Sequence, residues 1–385
     1  MTALEQIPAR AVAGAIADAA ERWRDADFPA RVRATQRIAE RTGYSIPVVE
    51  YALDRLFFSI DLAALESVIT GELGEVDILD GFRPRANRTE AWARPIGNVG
   101  IISSRTTIGV ALPSALFALC AKCDVLVKDR EDSLISSFFE TLREERGEFE
   151  QAARAEIWSS DERNLPDLES FDAVVAFGRT ETLAAVRSAL RPETRFTGFG
   201  SRASAGYVSR ESLSGVEPAS KIARGAARDI VLYETEGCLS LHVLFVEDGG
   251  AVSAAAFSDL LQAEIARANI EFPRGEQTAH ARALGAFRVA VRQNALAEPP
   301  PFLPRLAHTI PVSRPGDAME YLRRHDLALE GFATADNRSD VIDLAVVAGA
   351  VRLARFGELQ NPPLAGEHGG RPRIAEFVRW VDKTF

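Results

Sequence analysis

The chain has 385 residues, 46% of them hydrophobic and 26% charged, which suits a folded protein too long for one small core, so two or three packed units are expected. A formal charge of −10 speaks against nucleic-acid binding, which needs a basic surface, although a local basic patch can still receive an anionic cofactor. Three cysteines are too few for a disulfide framework. Residues 1–10 carry acid and proline where a signal peptide has a basic start and an apolar block, and no run approaches the roughly 18 apolar residues of a membrane span. A cytoplasmic enzyme with no membrane span is the expectation.

Residues 9–70 read as helical. Ala13, Ile16, Ala20 and Trp23 fall at helical spacing, and Val48, Tyr51, Ala52, Leu56 and Phe57 repeat the pattern. From residue 94 the texture changes. Residues 95–103 form a short apolar strand, 110–123 a helix-like stretch, and Asp124-Val-Leu-Val-Lys128 a second strand. Asp132 or Ser133 is placed to cap a helix running through Leu142. Residues 173–177 are another buried-type strand turned by Gly178, 180–190 a helix, and 194–199 a fourth strand. Apolar strands alternating with helices predict a parallel α/β sheet, here the nucleotide-binding kind.

Further on, a helix over 220–229 leads to a turn carrying Cys238, a strand over 242–246 and a long helix over 251–268. Residues 295–304, rich in proline, read as a loop. The tail supplies strand, helix and strand, then Gly357-Glu-Leu-Gln-Asn-Pro-Pro, Gly366-Glu-His-Gly-Gly and a closing helix through Trp380. No internal repeat is visible.

A lone cysteine is ordinarily a small buried hydrophobe. Cys238 has a different context: Gly237 permits a tight turn, and the residue sits where a helix gives way to a strand. A thiolate suits exchange with a thioester because it needs no strong base. Cys120 and Cys123 form a C-x-x-C with no second pair to complete a zinc site, so helix packing is their reading and no metal is expected. At Phe177-Gly-Arg-Thr-Glu-Thr a strand meets a helix, whose first N–H groups can receive a pyrophosphate. With one glycine it is not a dinucleotide fingerprint.

Five blocks, over 95–132, 177–190, 195–213, 226–247 and 349–382, resemble the acyl-CoA reductase branch of the aldehyde dehydrogenase superfamily, the group that includes the fatty-acid reductase of bacterial luminescence. The blocks spread over about three quarters of the chain; the N-terminal helices match only in general character. The resemblance implies an aldehyde dehydrogenase-like α/β fold. It divides into an N-terminal helical segment (1–93) packing on the cofactor domain, a Rossmann-type dinucleotide domain (94–219), an α/β catalytic domain (220–348) and a C-terminal return segment (349–385).

The resemblance makes Cys238, in Gly-Cys-Leu-Ser, the nucleophile of an NAD(P)H-dependent reductase that turns an acyl-CoA or acyl-carrier thioester into an aldehyde. It assigns Ser103, Lys128, Glu131, Gly178, Arg179 and Thr180 to the cofactor. Lys128 suits the 2′-phosphate of NADPH, whereas Glu131 suits the free ribose of NADH. A homo-oligomer is expected by the same resemblance, and His368 matches a segment near the substrate pocket.

There are two departures. Thr106 stands near where the family usually has an oxyanion-holding Asn, and a lost donor of that kind costs about 10²–10³ in rate. Gly198-Phe-Gly-Ser-Arg lacks the Glu that activates water in aldehyde-oxidising members, which favours reduction over hydrolysis. An acyl-transfer protein, or a non-catalytic relative acting as a binding or assembly subunit, stands as the alternative.

Overall fold

The computed structural model describes residues 2–85, 89–104, 106–129, 133–156, 168–275 and 303–384. Glu131, Asp132 and most of the proline-rich loop lie outside them. The chain divides into two compact units: Met1–Thr42, Val49–Ser201 and Pro363–Phe385 form the first, Gly43–Val48 and Arg202–Pro362 the second. Residues 202–219 therefore go with the second unit, and the tail is shared out at Pro363.

Four helices open the chain: α1 (Ala9–Arg24), α2 (Pro29–Thr42), α3 (Ile46–Phe58) and α4 (Leu62–Leu73). The expected periodicity is used for packing. Ala13, Ile16, Ala20 and Trp23 are all fully buried. The Trp23 ring lies 4.9 Å from Phe57 and 6.0 Å from Phe138, and its Nε1 donates to Thr141 Oγ1 at 3.0 Å. A buried indole N–H needs such an acceptor.

The expected strand over 95–103 is two strands in different sheets. After β1 (Arg83–Pro84), β2 (Glu90–Pro95) lies in a small antiparallel sheet and β3 (Asn98–Ile102) in the main one. Gly97 breaks the run with φ 130°, and a Cβ there would sit 2.1 Å from the Asp172 carboxylate. Helix α5 (Leu112–Cys120), β4 (Asp124–Lys128), α6 (Leu134–Glu145), α7 (Phe149–Ala152), β5 (Ala153–Glu156), β6 (Ala173–Phe177), α8 (Thr180–Ser188) and β7 (Arg195–Phe199) follow. The first unit's five-stranded sheet runs β5-β4-β3-β6-β7, every pairing parallel. That order, two strands laid out on one side of the first and two on the other, is a doubly wound nucleotide-binding sheet.

The cap of α6 comes from farther away than expected. Ser133 occupies the N-cap position but its hydroxyl bonds no helix N–H. Instead the buried Asp129 carboxylate accepts the N–H groups of Ser133, Ile135 and Ser136 at 3.1–3.4 Å.

The second unit holds β8 (Ala203–Val208), α9 (Val216–Val231), β9 (Leu241–Glu247), α10 (Ala254–Glu271), β10 (His308–Val312), β11 (Leu329–Thr334) and β12 (Arg352–Ala354), with helices Pro315–Arg324 and Ser339–Val347 beside β11 in sequence. Its sheet runs β10-β9-β8-β11-β12, again all parallel. The same winding thus occurs twice, in sequences with no visible repeat.

The closing helix is a correction. Residues 375–377 make one 3₁₀ turn, and β13 (Val378–Lys383) pairs antiparallel with β2 along six residues. Tertiary context decides this. The Glu72 carboxylate accepts the N–H groups of Arg373, Ile374 and Ala375, and Arg195 donates to the carbonyls of Glu376 and Val378, so the chain enters β13 already extended.

Candidate active site

In the first unit, parallel register brings the expected cofactor residues to one edge. Ile102 is opposite both Lys128 and Ala176, so the carboxyl ends of β3, β4 and β6 lie side by side. Ser103 follows β3 and donates its backbone N–H to the Lys128 carbonyl at 3.3 Å. Ser103 and Lys128 are buried, Gly178 half-buried, Arg179 and Thr180 exposed.

Arg179 is the N-cap of α8 and places no side-chain acceptor on the helix's first N–H groups. A Cβ on Gly178 would meet only Thr182, at an ordinary 3.5 Å, so local packing does not demand a glycine there. An open helix N-terminus at the carboxyl edge, beside the point where strand order reverses, is where doubly wound sheets take phosphates. Thr106 follows in the loop after β3, its Oγ1 3.4 Å from Ser104 Oγ.

At the ends of β6 and β7, Phe177 and Phe199 stack at 4.9 Å, and the His368 ring stacks on Phe199 at 4.3 Å. Phe199 and His368 border a small cleft that Ser114, Phe117, Val175, Thr197, Arg373 and Glu376 also line. Burial, then the Arg373 charge, push His368 down to about 3, so it is a neutral ring. Burial lowers Arg373 to about 10; it donates to the Gly366 and Pro363 carbonyls, fixing the loop that carries His368.

Cys120 and Cys123 are fully buried, and burial raises each to about 12. Cys123 Sγ donates to the Phe377 carbonyl at 3.4 Å. They are packing residues, and among the described residues no cluster is placed to hold a metal ion.

In the second unit Cys238 lies in a turn between the 3₁₀ segment Leu232–Thr235 and β9. Three successive non-glycine residues before it, Tyr233, Glu234 and Thr235, have φ of 55°, 53° and 63°. Left-handed backbone of this kind costs about 1–3 kcal/mol per residue and persists only when its surroundings hold it. Arg305 does much of the holding. It is fully buried, gives its backbone N–H to Thr235 Oγ1 at 2.7 Å, and pairs its guanidinium with Glu234 at 2.6 Å. It also donates to the Phe272 carbonyl and Asn269.

Three further side chains hold the turn and the segments around it. Ser204 Oγ on β8 donates to the Cys238 carbonyl at 2.7 Å. Gln360 Nε2 donates to Ser240 Oγ at 2.7 Å and to the Asp229 carbonyl at 3.2 Å. Asp229, at the end of α9, accepts the N–H groups of Gly357 and Leu359 at 2.6 and 3.2 Å. Burial pushes its carboxyl up to about 7 against those donors. The Gly357 loop can come this close because α9 has Gly225 one turn before Asp229; a Cβ there would lie 2.4 Å from the Phe356 carbonyl oxygen.

His242 directs both ring nitrogens at backbone groups. Its Nδ1 accepts the Ser204 N–H at 3.2 Å, so Nε2 carries the proton and donates to the Thr235 carbonyl at 3.1 Å. Burial lowers it to about 4, leaving a neutral ring that braces both sides of the turn. The Cys238 thiol itself is pushed up to about 12, first by burial and then by the Glu330 carboxylate.

Ser204, Asp229, Arg305, Glu330 and Gln360 were not singled out from sequence. Only Asp229 leaves a trace, as a carboxylate on the apolar face of α9 among Ala219, Ala223, Ala226 and Ile230.

The fold is that of the aldehyde dehydrogenases. The chain is 14% identical to an NAD-dependent benzaldehyde dehydrogenase from Corynebacterium glutamicum, with a TM-score of 0.70, covering 99% of this chain and 87% of that one. Aldehyde dehydrogenase 21 from Physcomitrella patens, solved with the reaction product succinate, gives 12% identity and a TM-score of 0.71, over 99% and 88% of the two chains. A 1-pyrroline-5-carboxylate dehydrogenase from Thermus, solved with bound NAD, gives 12% and 0.67, over 99% and 83%. No curated protein matches the sequence. The family acyl-CoA reductase (LuxC) matches residues 4–284. The chain belongs to this acyl-CoA reductase family, and it is an oxidoreductase.

Proposed function

We propose that the protein reduces an acyl-CoA thioester to the aldehyde, using NADPH and an acyl-enzyme on Cys238. The observation that carries this reading is the clamped turn. A cysteine is held after three left-handed residues by buried bonds from Ser204, Gln360, His242 and Arg305, far more structure than a packing cysteine needs. Cys238 attacks the acyl carbonyl and expels the coenzyme A thiolate. NADPH, when bound, supplies the hydride that converts the thioester on Cys238 to a thiohemiacetal, which collapses to the aldehyde.

The residues at the first sheet's edge fit such a cofactor: an open α8 N-terminus for the pyrophosphate, Gly178 without a side chain, and at the end of β4 Lys128, the cation that would meet a 2′-phosphate. The segment after β7 offers no carboxylate to activate water, which favours reduction over hydrolysis.

Intact mass spectrometry tests the reading. Incubation with octanoyl-CoA alone adds one acyl group at Cys238, and NADPH then discharges it with release of aldehyde. Cys238→Ala shows neither reaction and keeps its melting temperature. An adduct that NADPH leaves untouched makes the protein an acyl-transfer enzyme, and no adduct at all makes it a binding or assembly subunit.

A further inference from the structure

The second sheet has two register shifts, both against its central strand β8. On β9 the extra residue is His242; on β11 it is Glu330. A β-bulge redirects the side chain of its extra residue, and such bulges concentrate beside active sites. His242 uses its redirection to brace the cysteine turn from both ring nitrogens.

Glu330 has no comparable structural duty. Its side chain is 13% exposed, and Arg202 reaches it with Nε at 3.6 Å, a loose pair. Arg202 meanwhile donates to the Leu329 carbonyl.

Yet the Glu330–Gly331 step is fastened to the cysteine turn. Ser204 Oγ accepts the Gly331 N–H at 2.9 Å while donating to the Cys238 carbonyl at 2.7 Å, so one hydroxyl joins the two segments. Leu239 packs where a Gly331 Cβ would stand, at 3.1 Å. The charged groups that act on the thiol are Glu330 and Arg202. His242 on β9 is neutral, and Arg352 on β12 is committed to the carbonyls of Glu358, Leu359 and Asn361.

We propose that Glu330 is the proton acceptor for Cys238, taking the thiol proton as the sulfur attacks an acyl thioester. This rests on the acyl-enzyme reading above and adds the base it lacks. The S–H bond breaks and its electron pair forms the new S–C bond. The proton goes to a Glu330 carboxylate oxygen, the C–S bond to coenzyme A breaks, and the departing thiolate takes the proton from Glu330.

Burial supports the assignment on both sides. It holds the thiol almost wholly protonated at neutral pH, so sulfur needs an acceptor, and it raises the Glu330 carboxyl above the ordinary range, toward the basicity a general base needs.

Alkylation of Cys238 by iodoacetamide, followed against pH on the full chain, tests this without any acyl substrate. In the wild type the rate rises through an inflection above the ordinary Glu range, well below the thiol's own ionisation. Glu330→Gln removes that inflection and lowers the neutral-pH rate about a hundredfold. Glu330→Asp retains the inflection and settles the matter should the Gln variant fail to fold. A Glu330→Gln rate equal to or above wild type means that the carboxylate only repels the thiolate, and a wild-type profile with no inflection means that it accepts no proton; either result overturns the proposal. Octanoyl-CoA then separates the two claims: wild-type alkylation as expected but no acylation sinks the acyl-CoA reading and leaves Glu330 as the base.

Discussion

The two sheets are wound in the same order but present their candidate chemistry at opposite ends. In the first, Ser103, Lys128 and Gly178 stand at the carboxyl ends of β3, β4 and β6, in regular register. In the second, Cys238, Ser204 and Glu330 gather at the amino ends of β9, β8 and β11, where two bulges interrupt the ladder. The difference follows from what each edge must do. A carboxyl edge offers helix N-termini, so it receives an anion with little added machinery. An amino edge has no such field, so a nucleophile placed there is positioned by buried side chains. Substitutions at the first edge should therefore cost ligand affinity, and those at the second should cost catalysis or stability.

The largest expected effect is at Cys238 itself. Cys238→Ala should lower NADPH consumption with octanoyl-CoA by more than about a thousandfold, since the nucleophile is lost outright. Residual turnover within tenfold of wild type would remove the second edge from the chemistry altogether.

Next comes Asp229→Ala, which strands the buried N–H groups of Gly357 and Leu359 and so loosens the loop that carries Gln360. A loss of about 3 kcal/mol in urea unfolding is expected, with slower alkylation of Cys238 in the folded fraction. Unchanged stability would show that the clamp is dispensable.

Acid should expose the same contrast through His242. Its folded value of about 4 lies below the ordinary 6.5, so between those values the unfolded chain binds the extra proton more readily. The neutral ring's contribution is complete above about pH 6.5 and lost as pH falls toward 4, up to about 3 kcal/mol. His242→Gln should flatten that part of the stability profile. An equally steep profile would assign the acid sensitivity elsewhere, His368 being the next candidate.

The smallest effect on the fold, though not on binding, is at Gly178. Gly178→Val should leave the melting temperature within a degree or two, because only Thr182 lies near the new side chain. It should raise the KM for NADPH about tenfold, which is roughly 1.4 kcal/mol. Destabilisation without a change in KM would mean that this edge, too, is built for packing.

Much of this frame was legible in the sequence. The strands over 124–128 and 173–177 coincide with β4 and β6, because short apolar runs bounded by turns have few other ways to bury themselves. The turn carrying Cys238 between helix and strand was legible for the same reason. Glu330 was not, since a bulge changes which way one side chain points without altering the local pattern, and Ser204 and Gln360 were not, since their bonds reach segments more than 30 residues away.

By itself, then, the sequence determined the α/β alternation, the parallel character of the first sheet and a cysteine set after a glycine turn. These follow from apolar periodicity and local turn chemistry, which neighbouring residues settle among themselves. Tertiary structure decided that residues 378–383 pair with β2 as a strand. It also decided that the Glu330–Gly331 step is fastened to the Cys238 turn through the Ser204 hydroxyl. Each of these depends on groups far apart in the chain, and hydrogen bonds between such groups form only once the sheets have brought them together.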